Sequence, residues 1–202
     1  MNKYEILLKD VKTRLDEFRY NHVCSVYRES AALSDIFELG ESERDTLLTA
    51  AVLHDIAKPY DKIGQFKLAD ELSITLTDDD RESYKTIHAI TGAKLAKKLY
   101  PEIVTDEVCE CIRWHSTGKA DMKTTEKLLF LADYIEPTRK FEDCIALRNY
   151  FYSLLDDRTE KHEALDKALI FAFDFTIKLL IEDKAVIHTD TVKARNFLVK
   201  HY

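Results

Sequence analysis

The scarcity of glycine and proline constrains the fold of this chain more than any other feature of its sequence. Four glycines and three prolines occur among 202 residues, where average usage would give roughly two dozen. Tight turns depend heavily on these two residue types, and an all-β fold needs many such turns. The long stretches between them repeat apolar residues at the spacing of a helix face, as at Leu7, Val11 and Leu15. The sequence therefore predicts an all-α protein.

Capping residues and prolines set the expected ends of the helices. Prolines follow Lys58 and Tyr100, so a helix is expected to end at each of these residues. Ser42 and Thr124 or Thr125 are the expected N-caps of two others. The polar stretch 60–86 is expected to be a long loop with only a short helix at 66–72. Helices are predicted at 3–18, through 22–33, and at 42–58, 88–99, 105–114, 124–136, 145–156, 161–182 and 190–200.

Composition and charge favour a single cytoplasmic domain, covering residues 1–202. No repeat or linker divides the chain, and 46% apolar residues are enough for one core. The net charge of −7 leaves no basic excess for binding nucleic acid. The N-terminus lacks the apolar segment of a signal peptide, and the apolar stretch 168–181 is too short and too charged to span a membrane. The cysteines form no C-x-x-C pair, so we expect reduced thiols.

One polar dipeptide interrupts a strongly apolar helix pattern. His54 and Asp55 follow Ala51-Val52-Leu53, where core residues are expected. Burying an imidazole and a carboxylate is costly unless they are paired or bind a metal. Taken alone, the dipeptide is explained more simply as a hydrogen-bonded pair at a helix end. Lys58 lies one turn beyond His54, on a neighbouring face.

Further histidines and an aspartate favour a metal site over a simple hydrogen-bonded pair. Each of them lies near a predicted helix end or inner face, beside apolar or small residues. They are His22, His88, His115 and Asp133. At least 18 residues separate them from one another and from the dipeptide, which excludes a zinc finger and suits a site inside a helical bundle. Nitrogen and oxygen ligands without thiolate favour iron, manganese or zinc. A shared carboxylate can bridge two such ions, and two-ion sites hydrolyse phosphate esters and anhydrides. The histidines expected to be solvated or capping are His162, His188 and His201.

The order His22, His54-Asp55, Asp133 resembles the H…HD…D signature of the HD-domain metal-dependent phosphohydrolases. Longer segments are similar to the bacterial HD-type symmetrical bis(5′-nucleosyl)-tetraphosphatases. These are Arg19-Tyr20-Asn21-His22, His54-Asp55-Ile56-Ala57-Lys58, His88-Ala89-Ile90-Thr91-Gly92-Ala93, His115-Ser116-Thr117-Gly118 and Ala132-Asp133-Tyr134-Ile135-Glu136-Pro137-Thr138-Arg139. The resemblance spans a core at about residues 15–180 and leaves a C-terminal helical extension at 185–202. Ser116 departs from it, because relatives often carry threonine there.

The resemblance implies an HD-type helical bundle with two metal ions at its centre, iron as the first choice and manganese as the second. The implied ligands are His22, His54, Asp55 and Asp133 for one ion, and Asp55, His88 and His115 for the other. Asp55 would bridge the two ions. The implied reaction is hydrolysis of diadenosine tetraphosphate by a metal-activated water, symmetrically to two ADP molecules.

The resemblance also implies which residues act on the phosphates. Asp55 and Lys58 are the expected catalytic residues, with Lys58 neutralising charge that grows on the non-bridging oxygens. The expected phosphate-binding residues are Lys58, Thr117, Gly118, Arg139 and Arg19. Simpler alternatives exist, with Lys58 as a helix-dipole partner and Arg139 as a surface cation. Trp114 and Tyr134 fit core packing better than stacking on a base.

Other functions share parts of this pattern. An HD-type phosphohydrolase of mononucleotides or another phosphoanhydride would keep the metals and change the substrate. A di-iron oxygenase would use similar ligands to activate dioxygen. A non-catalytic helical signalling module with a vestigial site would bind no metal stoichiometrically. The expected partner is a small nucleotide, and the sequence is compatible with a homodimer.

Overall fold

Helices account for the regular structure in residues 2–201, the part of the chain that the computed structural model describes. Eleven α-helices and one short 3-10 helix occur within this range, which contains no β-strand. They are α1 (Lys3–Arg14), α2 (Glu17–Ile36), α3 (Glu41–Leu53), α4 (Lys62–Glu71), α5 (Asp78–Glu82), the 3-10 helix (Tyr84–Thr86), α6 (Ile87–Leu99), α7 (Asp106–Trp114), α8 (Thr124–Ile135), α9 (Glu142–Asp156), α10 (Lys161–Glu182) and α11 (Thr189–His201). The all-α prediction is confirmed. Within the described range, no helix has both the length and the apolar character needed to cross a membrane.

The core is built around α3, in which all residues from Leu47 to Leu53 are buried. Helices α1, α2, α7 and α8 pack against it. A helix that is apolar on all sides belongs inside a protein. The α3 helix ends at the dipeptide His54-Asp55, so these two polar residues lie inside the bundle. Helix α11 packs against α10 and adds Ala194 and Leu198 to the same core.

The predicted helix over 3–18 is wrong in its extent, because the chain turns at Leu15. Leu15 has an extended backbone and ends α1. The Asp16 side chain accepts a hydrogen bond from the Arg19 amide at 2.7 Å and caps a new helix. Such a cap satisfies an amide that has no partner within the helix. Phe18, expected on the apolar face of a longer helix, is 78% exposed.

The predicted boundaries of α3 and α8 are also corrected. The α3 helix ends at Leu53 rather than Lys58, and turns closed by bonds such as Lys58 N–H to Asp55 O, at 2.9 Å, carry the chain to Pro59. The expected caps Ser42 and Thr124 both lie inside helices. Acidic side chains at the third helical position accept from the capping amides instead, and these pairs are Glu43 with Gly40 and Glu126 with Lys123.

The loop predicted over 60–86 is mostly helical, containing α4, α5 and the 3-10 helix. Asp61 caps α4 by accepting from the Gly64 amide at 2.7 Å, and Thr77 caps α5. A small apolar cluster joins this segment to α6, which explains why its short helices are stable. The buried members of the cluster are Ala69, Leu76, Ile87 and Ile90.

Candidate metal centre

Five helices bring all six candidate ligands into one cluster inside the bundle. They are His22 in α2, His54 and Asp55 at the end of α3, His88 in the first turn of α6, His115 directly after α7, and Asp133 in the last turn of α8. The four rings and Asp55 are at most 5% exposed, and Asp133 is partly buried. Polar groups are rarely buried without partners, so apolar packing alone does not account for this cluster.

Three of the histidine rings are oriented in the same way, by a carbonyl three residues earlier in the chain. The Nδ1 atoms of His54, His88 and His115 lie 2.8, 2.9 and 2.6 Å from the carbonyl oxygens of Ala51, Lys85 and Ile112, respectively. A carbonyl only accepts, so Nδ1 carries the proton in each ring and Nε2 presents a lone pair. This is the tautomer and the supporting hydrogen bond typical of metal-bound histidine.

The carboxylate of Asp55 lies between two pairs of histidines. Its Oδ2 atom is 3.8 Å from His22 Nε2 and 3.7 Å from His54 Nε2. Its Oδ1 atom is 3.4 Å from His88 Nε2 and 3.9 Å from His115 Nε2. Burial acts to raise the pKa of Asp55, but its neighbours His54, His88 and the charged Lys58 together lower it, so the carboxyl is ionised. One carboxylate with each oxygen turned toward a different histidine pair is suited to bridging two cations.

The donor set fits metal ions. The Nε2 atoms of His88 and His115 lie 3.2 Å apart with no proton between them, an arrangement that needs a nearby cation or donor. Three overlapping groups have ligand atoms within 4.8 Å of one another. They are His22, His54 and Asp55; His54, His115 and Asp133; and Asp55, His88 and His115. Imidazole nitrogens with carboxylate oxygens suit iron, manganese or zinc.

The same three rings are held in the form that binds metals. Burial lowers the pKa of His54 and brings that of His88 well below its usual range. Burial, together with the neighbouring His54 ring, lowers the pKa of His115 to about 4. A neutral imidazole is the ligand form of histidine. At neutral pH, therefore, protons do not compete for these nitrogens.

His22 differs, because carboxylates contact both of its ring nitrogens. Its Nε2 is 2.9 Å from Asp133 Oδ1, and its Nδ1 is 3.1 Å from Glu136 Oε1. Burial acts to lower the pKa of His22, but these two hydrogen bonds raise it to about 9. A metal ion bound here would replace the proton between His22 and Asp133.

Sequence reasoning missed the role of Glu136. This residue is fully buried, and its carboxylate also accepts from the amide and hydroxyl of Thr138, both at 2.6 Å. The carboxylate is thereby fixed while it holds the His22 ring. The only available signal was an acid between Ile135 and Pro137 at the end of an apolar helix.

Three partly exposed cations lie against the cluster. Arg139 lacks a partner for its buried Nε among the described residues. Burial acts to raise the pKa of Asp133, but the Arg139 charge brings it well below its usual range. Guanidinium and ammonium groups at an ionised site are suited to holding phosphate oxygens. Their contacts are Arg19 Nη1 to Asp55 Oδ2 at 2.8 Å, Arg139 Nη2 to Asp133 Oδ1 at 2.8 Å, and Lys58 Nζ to His88 Nε2 at 3.2 Å.

The segment after His115 divides into a part that faces the cluster and a part that packs elsewhere. Ser116 Oγ lies 3.2 Å from Nε2 of both His88 and His115. The buried Thr117 hydroxyl donates to the Gly118 carbonyl, and the Gly118 amide donates to Trp114 O. The Thr117 hydroxyl and the Gly118 amide therefore already have acceptors within the protein.

The remaining histidines and aromatic residues lie outside the cluster. His162 and His201 are exposed, as expected. Of the two roles expected for His188, the structure shows capping rather than solvation: its Nδ1 accepts from the Asp190 amide at the start of α11 at 3.1 Å, and the ring is 5% exposed, with Nε2 3.2 Å from Asp80 Oδ1. The sequence could not reveal this, because the two partners are 108 residues apart. Tyr134 donates to Asp143, and Trp114 donates to Glu110.

Comparison with known proteins gives concordant results. Residues 19–138 match the family described as HD domain. A symmetrical bis(5′-nucleosyl)-tetraphosphatase of Halalkalibacterium halodurans is 31% identical over 194 residues, 95% of each chain. A protein of the same name in Bacillus subtilis is 28% identical over 201 residues, 98% of each chain. A crystal structure from Clostridium acetobutylicum, described as a predicted HD superfamily hydrolase involved in NAD metabolism, has a TM-score of 0.84 and 29% identity over the whole of both chains.

Proposed function

Because this chain belongs to the HD-domain family and is a hydrolase, we propose that it cleaves dinucleoside tetraphosphates such as diadenosine tetraphosphate. Cleavage is symmetric and gives two nucleoside diphosphates. The observation that carries the proposal is the placement of Asp55, with one oxygen toward each of two histidine pairs. The names of the full-length relatives support this substrate class. The cytoplasmic location expected from the sequence is part of the same proposal.

Two metal ions belong to the proposed site, with iron as the first choice and manganese as the second. The proposed ligands are His22, His54, Asp55 and Asp133 for one ion, and Asp55, His88 and His115 for the other. Ions held there would lower the pKa of a nearby water and neutralise charge at phosphorus. The neutral rings of His54, His88 and His115 and the ionised Asp55 are already in the protonation states that such ligands require.

The cations around the cluster hold the polyphosphate. Lys58 lies beside His88 and neutralises charge that grows on the non-bridging oxygens. Arg139 and Arg19 exchange their present carboxylate contacts for phosphate oxygens when the substrate binds. Thr117 and Gly118 keep their internal hydrogen bonds, so they support the site by packing. The departing nucleoside diphosphate is a stable anion, and no strong general acid is required.

Product analysis tests this function. Diadenosine tetraphosphate is incubated with the protein in the presence of iron or manganese, and the nucleotides are separated by chromatography. We expect ADP as the sole nucleotide product, and Asp55→Ala, which removes the shared ligand, should abolish turnover. AMP together with ATP, or no turnover, would contradict the proposal. Hydrolysis of mononucleotides alone would support the other phosphohydrolase, and oxygen uptake on adding substrate would support an oxygenase.

A further inference from the structure

A cavity of about 650 Å³, the α6–α7 cavity, lies between these two helices and the segment that follows α4. The helices run in opposite directions, since Lys97 Nζ is 3.4 Å from Asp106 Oδ1 and Cys109 Sγ is 3.6 Å from the Ala93 carbonyl oxygen. Residues three or four positions apart share one face of a helix. Such residues form the two helical walls, which are Ile90, Ala93, Lys94 and Lys97 on α6, and Asp106, Cys109, Glu110 and Arg113 on α7.

The base of the α6–α7 cavity is apolar. Ile90 and Ala93 are 8% and 5% exposed, and both line it. Ile74, in the segment after α4, also lines the cavity and packs against the same apolar cluster as Ile90. Binding sites for small molecules combine apolar walls with a few placed polar groups. The cavity is therefore suited to the apolar part of a ligand.

Arg113, on the α7 wall, has hydrogen-bond donors that the protein does not use. Its Nη1 atom is buried and has no hydrogen-bond partner among the described residues. Its Nη2 atom is 3.6 Å from Asp80 Oδ1, too far for a hydrogen bond, and Asp80 already accepts from Thr77. The guanidinium carbon lies 4.1 Å from the centre of the Trp114 ring, which orients the group by stacking. A bound anion would supply the acceptor that Arg113 lacks.

Positive charge remains in the α6–α7 cavity after its carboxylates are paired. Each lining carboxylate has a lysine partner, and these pairs are Glu110 with Lys119 and Asp106 with Lys97, at 2.9 and 3.4 Å. Lys94, which is exposed at the cavity, and Arg113 are the other lining cations. A phosphate monoester carries a charge of about −1.5 to −2 at neutral pH. Two cations match that charge better than they match the single charge of a carboxylate.

We propose that the α6–α7 cavity is a second anion site, which binds a small phosphate monoester with an apolar or aromatic body. Lys94 and Arg113 hold the phosphate, and the body packs on Ile90. The inference goes beyond the proposed function, because none of the six candidate metal ligands lines this cavity. The bound molecule contacts both α6, which carries His88, and α7, which ends next to His115.

The thiol of Cys109 reports whether the cavity is occupied, because it lines the cavity and is partly exposed. Cys24 is also partly exposed but lies on α2 and does not line the cavity, so it is the internal control. Wild-type protein carrying its metal is treated with a maleimide, and mass spectrometry of its peptides gives the rate of modification at each thiol.

Phenyl phosphate is the probe, with phenol and inorganic phosphate as counterparts that lack the charge or the ring. At about ten times its Kd, phenyl phosphate should slow the modification of Cys109 about tenfold, because about a tenth of the cavities stay empty. The rate at Cys24 should not change. Phenol and inorganic phosphate should each bind at least about tenfold more weakly.

Arg113→Gln and Lys94→Gln each remove one of the two cations. Lys98→Gln is the matched control, because Lys98 is exposed on the same helix as Lys94 and does not line the cavity. We expect the Kd for phenyl phosphate to rise at least about tenfold in Arg113→Gln and about two- to fivefold in Lys94→Gln. The control should bind like the wild type. Melting temperatures establish that each variant is folded, and Lys94→Gln keeps the test decisive should Arg113→Gln unfold.

Unchanged modification of Cys109 in the presence of phenyl phosphate would overturn the second anion site. So would equal slowing at Cys24, equal protection by phenol or by inorganic phosphate, or a wild-type Kd in the folded variants. Protection should persist in Asp55→Ala, and its loss there would place the phosphate at the metal centre instead. Absence of tetraphosphate turnover would contradict the proposed function and leave this site standing.

Discussion

Replacing Gly118 by alanine should destabilise the protein by about 2–5 kcal/mol. Gly118 has a φ of +66°, a left-handed conformation that costs other residues about 1–2 kcal/mol. A Cβ atom would lie 2.6 Å from Phe173 Cζ and 3.0 Å from Ala194 Cβ. Phe173 is fully buried, so it has little room to move away. Overpacking of this kind typically adds about 1–3 kcal/mol.

Urea unfolding of the purified variants measures this loss, and Gly40→Ala is the control. At Gly40 the nearest atom to an added Cβ is Glu43 Oε2 at 3.8 Å, and the backbone is extended. The control should lose at most about 1 kcal/mol, the usual cost of a poorer helix cap. Gly118→Ala should also melt lower, by about 2–4 °C for each kcal/mol lost. Equal unfolding free energies for Gly118→Ala and the wild type would refute the packing role, and a loss confined to activity would restore the phosphate-binding prediction.

Further predictions concern the metal centre. Glu136→Gln removes the charged partner of the His22 ring, so metal affinity should fall about 10- to 100-fold in chelator competition; unchanged affinity would refute the positioning role. With its pKa of about 9, His22 must release a proton to bind a metal ion. Metal affinity should therefore rise with pH, by up to about tenfold per unit, and level off near pH 9. A metal affinity that calorimetry finds unchanged from pH 7 to 9 would contradict this. Lys58→Ala should lower kcat about 100- to 1000-fold with metal content unchanged, whereas loss of metal would indicate a structural role.

The cluster could be predicted because its members break an apolar pattern. His54 and Asp55 occupy positions at the end of α3 where the pattern predicts apolar core residues, and Asp133 occupies such a position in α8. The structure brings these residues together with the other three candidates, and their roles as ligands stay predictions. The family resemblance is confirmed by the comparisons. Local sequence was sufficient here because each ligand lies at a helix end or on an inner face.

Contacts between distant segments could not be predicted in the same way. His188 lies in a polar stretch, yet it is buried and contacts Asp80, a residue 108 positions away in the chain. The 60–86 segment forms helices because it packs on α6, a partner that its own composition does not reveal. The apolar spacing continues through Leu15 and predicts one long helix. The chain instead starts a new helix there, because the Asp16 side chain caps α2. Ser116 differs from the threonine common in relatives, and its hydroxyl contacts two of the rings, those of His88 and His115.

Elemental analysis of protein purified without added metal tests the central claim most directly. Asp55 faces both histidine pairs, so we expect about two metal ions per wild-type chain and neither ion in Asp55→Ala. Protein that hydrolyses the dinucleoside tetraphosphate while holding no stoichiometric metal would contradict the two-ion centre.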